Sequence, residues 1–133
     1  KKAVPYTSKL INDGVLSQMD MGTLLDYCAI QLNGEKAGGK EAVININFTD
    51  TKEKVMLMLK NGVLNHRLGS QDKKADLTME IAKMDFVKLF FGRTDLQTLR
   101  KTNKVKTTGD TKAIDMIRSA CEPADPNFKI VLP

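Results

Sequence analysis

The sequence predicts an α+β domain: a single, mainly antiparallel β-sheet covered by helices on one face. Three observations predict it. Residues 42–48 and 75–82 alternate apolar and polar side chains with the period of two that a half-buried strand requires. The dipeptide Asn61-Gly62 stands between two apolar runs, the strongest short hairpin signal a sequence offers. Stretches around 24–32, 83–91 and 113–120 repeat apolar residues at helical spacing. The 133 residues suit one domain, and 41% hydrophobic content can build a core without staples.

Taken in order, residues 1–18 carry Pro5 and Gly14 and read as a connector or arm, with the domain proper over 19–133. The chain begins Lys-Lys rather than Met, as a fragment or processed piece would. Ser17 followed by Asp20 signals a helix start. Leu24, Leu25, Cys28, Ala29 and Leu32 then form one apolar stripe. Asn33-Gly34 is a plausible left-handed stop, and "GEKAGGK" reads as a loop.

The strand "AVININF" puts Ile44, Ile46 and Phe48 on one face and Asn45 and Asn47 on the other. In "KVMLMLKNGVLNHRLG", a two-residue Asn61-Gly62 turn opposes Lys60 to Val63, Leu59 to Leu64, Leu57 to His66 and Val55 to Leu68. One face then holds Val55, Leu57, Leu59, Leu64 and Leu68, with His66 among them. A turn at "DTKE" pairs Ile44 with Leu59, Ile46 with Leu57 and Phe48 with Val55, because an odd slip would put the asparagines inside. The second face carries Met56 and Met58, which suit a ligand, a partner surface, or packing under a helix or loop.

"ADLTMEIA" turns Leu77, Met79 and Ile81 inward. Residues 83–91 read as a helix ended by Gly92. Thr94 is the expected cap of a short helix bearing Leu96 and Leu99. "KVKTTGD" reads as a polar edge strand, and Asp110 caps a last helix striped with Ala113, Ile114, Met116, Ile117 and Ala120. "EPADPNFKIVLP" holds three of the four prolines and reads as an extended wrap.

Several function classes lack their parts. The formal net charge is +5, but acids interleave the basic residues, and "LRKTNKVKTT" lacks the aromatics of a nucleic-acid surface. No apolar run approaches a membrane span. With one histidine, a multi-histidine metal centre is out of reach. No nucleophile elbow, Walker loop or GxGxxG occurs, so neither catalytic residues nor a cofactor are assigned. Asp50, Glu53, Asp76 and Asp85 fall at turns and element ends, where capping explains them. Cys28 and Cys121 each fall on an apolar stripe, as buried thiols or as a disulfide. What remains is an apolar surplus on the 83–91 helix, which deep burial, docking or the wall of a cavity would each explain.

The pieces "LLDYCAIQLNGEKAGGK", "INFTDTKEKVMLMLKNGVLNHRLG", "ADLTMEIAKMDFVKLFFG", "KVKTTGD" and "DPNFKIVLP", in this order, resemble the C-terminal domain of bacterial-type alkylsulfatases. The strand-Gly-Asp-helix piece around Gly109 and Asp110 is shared more widely, with the sterol carrier protein type 2 fold. The resemblance implies a sterol-carrier-protein-like domain with a five-stranded sheet and an apolar cavity between sheet and helices. It implies a partner, a metallo-β-lactamase-like catalytic domain with two zinc ions, whose HxHxDH signature this chain lacks. The chain alone is therefore expected not to hydrolyse sulfate esters. It is expected to take up a fatty acid, an alkyl sulfate or another lipid-like ligand. The expected cavity residues are Met84, Phe86, Val87, Leu89, Phe90, Met116 and Ile117, whose helices carry more apolar surface than one core face needs. The alternative is a structural or dimerisation domain with a filled interior.

Overall fold

The computed structural model describes residues 18–121. The predicted arm, the Ser17 start signal and the proline-rich wrap lie largely or wholly outside them. Asp20 caps helix α1 (Met21–Ile30), its carboxylate accepting from Thr23 N–H at 2.8 Å. Leu24, Leu25 and Cys28 form the buried stripe. Asn33-Gly34 does not stop the chain as expected. Asn33 Oδ1 accepts from the N–H groups of Glu35 and Lys36 at 2.9 and 3.2 Å, so it caps a further short helix, α2 (Gly34–Ala37). Part of the expected loop is therefore helical, and Gly38 at φ +55° ends it.

Five strands follow: β1 (Ala42–Phe48), β2 (Lys54–Lys60), β3 (Val63–Leu68), β4 (Leu77–Ile81) and β5 (Val105–Gly109). They form one sheet in the order β3-β2-β1-β4-β5. Three of the pairings are antiparallel, but the central β1–β4 pair is parallel, so the sheet is mixed. The β2–β3 register is the one the Asn61-Gly62 turn dictates, with Leu59 opposite Leu64 and Leu57 opposite His66. Asn61 and Gly62 both have positive φ, 54° and 73°, as a type I′ turn requires.

The β1–β2 register differs from expectation by two residues. Ile44 faces Leu57 and Ile46 faces Val55. The loop is Thr49-Asp50-Thr51-Lys52, one residue earlier than "DTKE", closed by Lys52 N–H on the Phe48 carbonyl at 2.9 Å with Lys52 at φ 63°. A slip of two leaves every side chain on its predicted face. Leu68 departs further, being 53% exposed at the end of an edge strand. His66 is partly exposed too, with Nδ1 3.9 Å from the Asp26 carboxylate of α1.

Strand β4 runs parallel to β1 and to β3, so the chain must recross the sheet between them. Residues 69–76 make that crossing on the face away from the core. Asn45, only 6% exposed, clamps it: Nδ2 donates to the Asp72 carbonyl at 2.7 Å and Oδ1 accepts from Asp72 N–H at 2.9 Å. Asp76 pairs with the Val43 backbone through both its N–H and its carboxylate, each at 2.8 Å. Met56 and Met58 lie half-buried on this same face. The opposite face carries the core, where α1 lies against β3 and α5 (Lys112–Ser119) against β1. Helix α4 (Leu96–Lys101) packs beside β5. Its cap is Asp95, not Thr94, accepting from Thr98 N–H at 2.7 Å. The residue at the start of α5 is Thr111, which makes no side-chain cap bond; Asp110, one position earlier than the cap, accepts from Lys112 N–H at 2.9 Å.

Candidate functional site

The candidate site is built on α3 (Lys83–Phe90), which leaves β4 directly through Ala82. Ala82 has no side chain to cap the helix, and the β1–β2 loop supplies one: Asp50 Oδ1 accepts from Lys83 N–H at 3.1 Å. The Lys83 side chain is buried, and its ammonium donates to the carbonyl of Met19, just ahead of α1. Neighbouring Asp20 is held below the usual carboxylate range, chiefly by the N–H and hydroxyl of Thr23, with a smaller contribution from the Lys83 charge. Residues distant in sequence thus converge at the start of the aromatic helix.

Along α3, Phe86, Val87, Leu89 and Phe90 are buried in a continuous arc. Met84, Asp85 and Lys88 are half-buried and make up its other side. Phe86 meets Phe48 at the end of β1 edge-on, with ring centroids 5.7 Å apart, and Phe90 lies 6.1 Å beyond. Phe91 caps the helix and meets Phe90 at 5.6 Å, and Gly92 at φ 77° ends it as predicted. On α5, Ile117 is fully buried and Met116 half-buried. Of the seven expected cavity residues, five therefore sit within the interior and Met84 and Met116 at its boundary, all in one apolar cluster.

Among the described residues, two open clefts lie elsewhere, at the ends of β1, β4 and β5. One of about 460 Å³ is lined by Glu80, Asp85 and Lys104 among others, and one of about 570 Å³ by Asn47, Lys52 and Glu80. None of the seven lines either cleft. Among the described residues no three of His, Cys, Asp and Glu gather as a metal site requires. Nor is any described helix long and apolar enough to cross a membrane. Cys28 and Cys121 are buried thiols with no disulfide between them, and burial, with Cys121 nearby, pushes the Cys28 thiol up.

Sequence reasoning missed three polar positions. Lys83 was legible only as the start of a helix. Asn45 follows the alternation of β1, yet it is buried by a segment whose path the alternation does not reveal. Arg118 sits on α5 with its Nε buried and unpartnered among the described residues. Its place one position beyond the buried Ile117 carries no sequence signal of that.

Known proteins extend this picture. The family described as "Alkyl sulfatase C-terminal" matches residues 9–133. A linear primary-alkylsulfatase from Pseudomonas sp. is 32% identical over 115 residues, which is 86% of this chain and 17% of that protein. An (R)-specific secondary-alkylsulfatase from Pseudomonas sp. is 36% identical over 108 residues, 81% of this chain and 16% of that protein. The solved structure of an inverting sec-alkylsulfatase from Pseudomonas sp. superposes with a TM-score of 0.76 at 32% identity, covering 86% of this chain and 18% of that one. Sterol carrier protein 2 from Yarrowia lipolytica shares the fold, with a TM-score of 0.51 at 18% identity over 84% of this chain and 97% of that one. The chain thus spans about a sixth of the alkylsulfatases it matches and nearly the whole of a sterol carrier protein. By sequence and by fold, it belongs to the alkyl sulfatase C-terminal family.

Proposed function

We propose that this chain is a non-catalytic binding module for aliphatic chains. It recruits the alkyl part of a sulfate ester, or a similar lipid, for a metallo-β-lactamase-like catalytic domain joined to it in a longer alkylsulfatase. The observation that carries this reading is the family match over residues 9–133 on a sterol-carrier fold. A further neighbour of that fold, sterol carrier protein-like 2 from Aedes aegypti, was solved palmitated, with a TM-score of 0.53 at 16% identity. In this reading residues 19–133 are the binding domain and 1–18 the connector, and the guest lies against Met84, Phe86, Val87, Leu89, Phe90, Met116 and Ile117.

The energetics suit the role. Each buried CH₂ contributes about 0.8 kcal/mol, so a dodecyl chain is expected to bind at about micromolar levels after ordering costs. Displacement of a fluorescent fatty acid by alkyl sulfates, kept below micelle-forming concentrations, tests it. Saturable displacement supports the reading, and its absence contradicts it.

One observation favours a second reading, a structural or dimerisation domain with a filled interior. The contiguous ring contacts of Phe48, Phe86, Phe90 and Phe91 resemble a packed core. Light scattering that gives a dimer, together with no aliphatic binding, supports this alternative.

A further inference from the structure

We propose that Arg118 is the anion-recognising residue of the aliphatic site, taking the sulfate or carboxylate head of the guest. The inference rests on the binding-module reading and specifies the polar end of that site. Buried donors in folded proteins are almost always partnered; Arg118 is half-buried as a residue, so the exception here is one enclosed N–H rather than a buried charge. Arg118 Nε is buried with no hydrogen-bond partner among the described residues. The described residues also place no carboxylate in ion-pair contact with it. The Arg118 charge contributes to holding down the Asp95 carboxyl, but that carboxylate is already turned to the start of α4, accepting from Thr98 N–H at 2.7 Å.

Its position suits a head group. Arg118 directly follows Ile117, which is fully buried, and lies beyond the apolar stripe of α5 on the flank toward Asp95. Asp95 stands four residues after Phe91, and Phe90 and Phe91 are 5% and 7% exposed, the least enclosed rings of the aromatic row. A guest whose chain lies against Ile117, in the apolar cluster it shares with Phe90, would bring its head toward the neighbouring guanidinium. A planar guanidinium offers two parallel donors to sulfate or carboxylate, and Nε is one of the donors such a fork uses.

Calorimetric titration with decyl sulfate, decanoate and 1-decanol tests this, on the parent chain and on Arg118→Gln and Arg118→Lys. Arg118→Gln is expected to weaken both anions by about tenfold or more and to leave 1-decanol within about twofold. Arg118→Lys, which keeps the charge but not the fork, is expected to fall between. Equal loss for decanol and the anions would assign Arg118 a packing role and overturn the inference. Unchanged anion binding in Arg118→Gln would overturn it while leaving the binding module standing. If the parent binds none of the three, the binding-module reading falls and takes this inference with it. A circular dichroism melt of each variant separates misfolding from lost recognition.

Discussion

Replacing Phe86 by alanine removes the ring that seats α3 on the sheet. Phe86 is 0% exposed, and its ring meets Phe48 at 5.7 Å and Phe90 at 6.1 Å between centroids. A buried Phe→Ala change costs about 3–5 kcal/mol, and an edge-on aromatic pair adds about 0.5–1.5 kcal/mol to what area alone gives. Phe86→Ala is therefore expected near the top of that range, about 4–5 kcal/mol. At about 3–6 °C per kcal/mol for a domain of this size, Tm should fall by roughly 12–30 °C. Since domains hold only about 5–15 kcal/mol in total, Phe86→Leu, expected at about 1.5 kcal/mol, is the companion variant that stays folded. Urea unfolding followed by circular dichroism measures both, and a cycle with Phe48→Leu isolates the ring pair. An aliphatic guest in the same space should restore about 2.7 kcal/mol at a hundredfold excess over its Kd. A loss below about 1.5 kcal/mol for Phe86→Ala would refute the packing argument, because no enclosed ring is so cheaply removed.

Three further predictions rest on separate features. Gly109 sits at φ +108°, and a Cβ there would meet the Asp76 carbonyl at 2.5 Å, whereas Gly39 has nothing within 4 Å. Gly109→Ala should therefore lose about 2 kcal/mol or more by urea unfolding and Gly39→Ala less than about 0.5 kcal/mol, and equal losses would contradict the geometry. Asp95 is held below the usual carboxylate range, first by the Thr98 N–H and then by its hydroxyl. A carboxyl depressed on folding adds stability above its unfolded value, near pH 4, and loses it as pH falls through the folded value. Asp95→Asn, which keeps an acceptor, should flatten the acid limb of stability below about pH 4 and leave pH 7 nearly unchanged; an unaltered acid limb would count against the cap. Burial raises the Cys28 thiol, so in a Cys121→Ser background it should resist Ellman's reagent at pH 8 until urea unfolds the chain, and rapid native reaction would contradict its enclosure.

Local chemistry was the legible part of this fold. Asn61-Gly62 fixed its hairpin because positive φ at two successive residues admits few side chains. The alternation of β1 and β4 placed Ile44, Ile46, Leu77 and Met79 in the core, where all four are fully buried. The β1–β2 register missed by two residues because periodicity fixes a face but not a turn, and Lys52 accepted a left-handed conformation that no sequence signal marks. The parallel β1–β4 pair was illegible for a different reason. It depends on residues 69–76 crossing β1, and that path is held by Asn45 and Asp72, which lie 27 positions apart. The candidate site divides in the same way. Helical spacing marked Phe86, Phe90 and Ile117 as part of an apolar surplus, which the structure buries, but it says nothing of a buried Nε without a partner on Arg118. Satisfaction of a polar group is a property of the whole packed chain.

The central claim, that this domain takes up aliphatic chains, is tested most directly by a chain-length series. Titration of the parent chain with octyl, decyl and dodecyl sulfate, each below its micelle-forming concentration, should give saturable binding. At about 0.8 kcal/mol per CH₂, Kd should tighten by about fourfold for each added carbon. Affinities that are absent, or that do not change with chain length, would contradict the account.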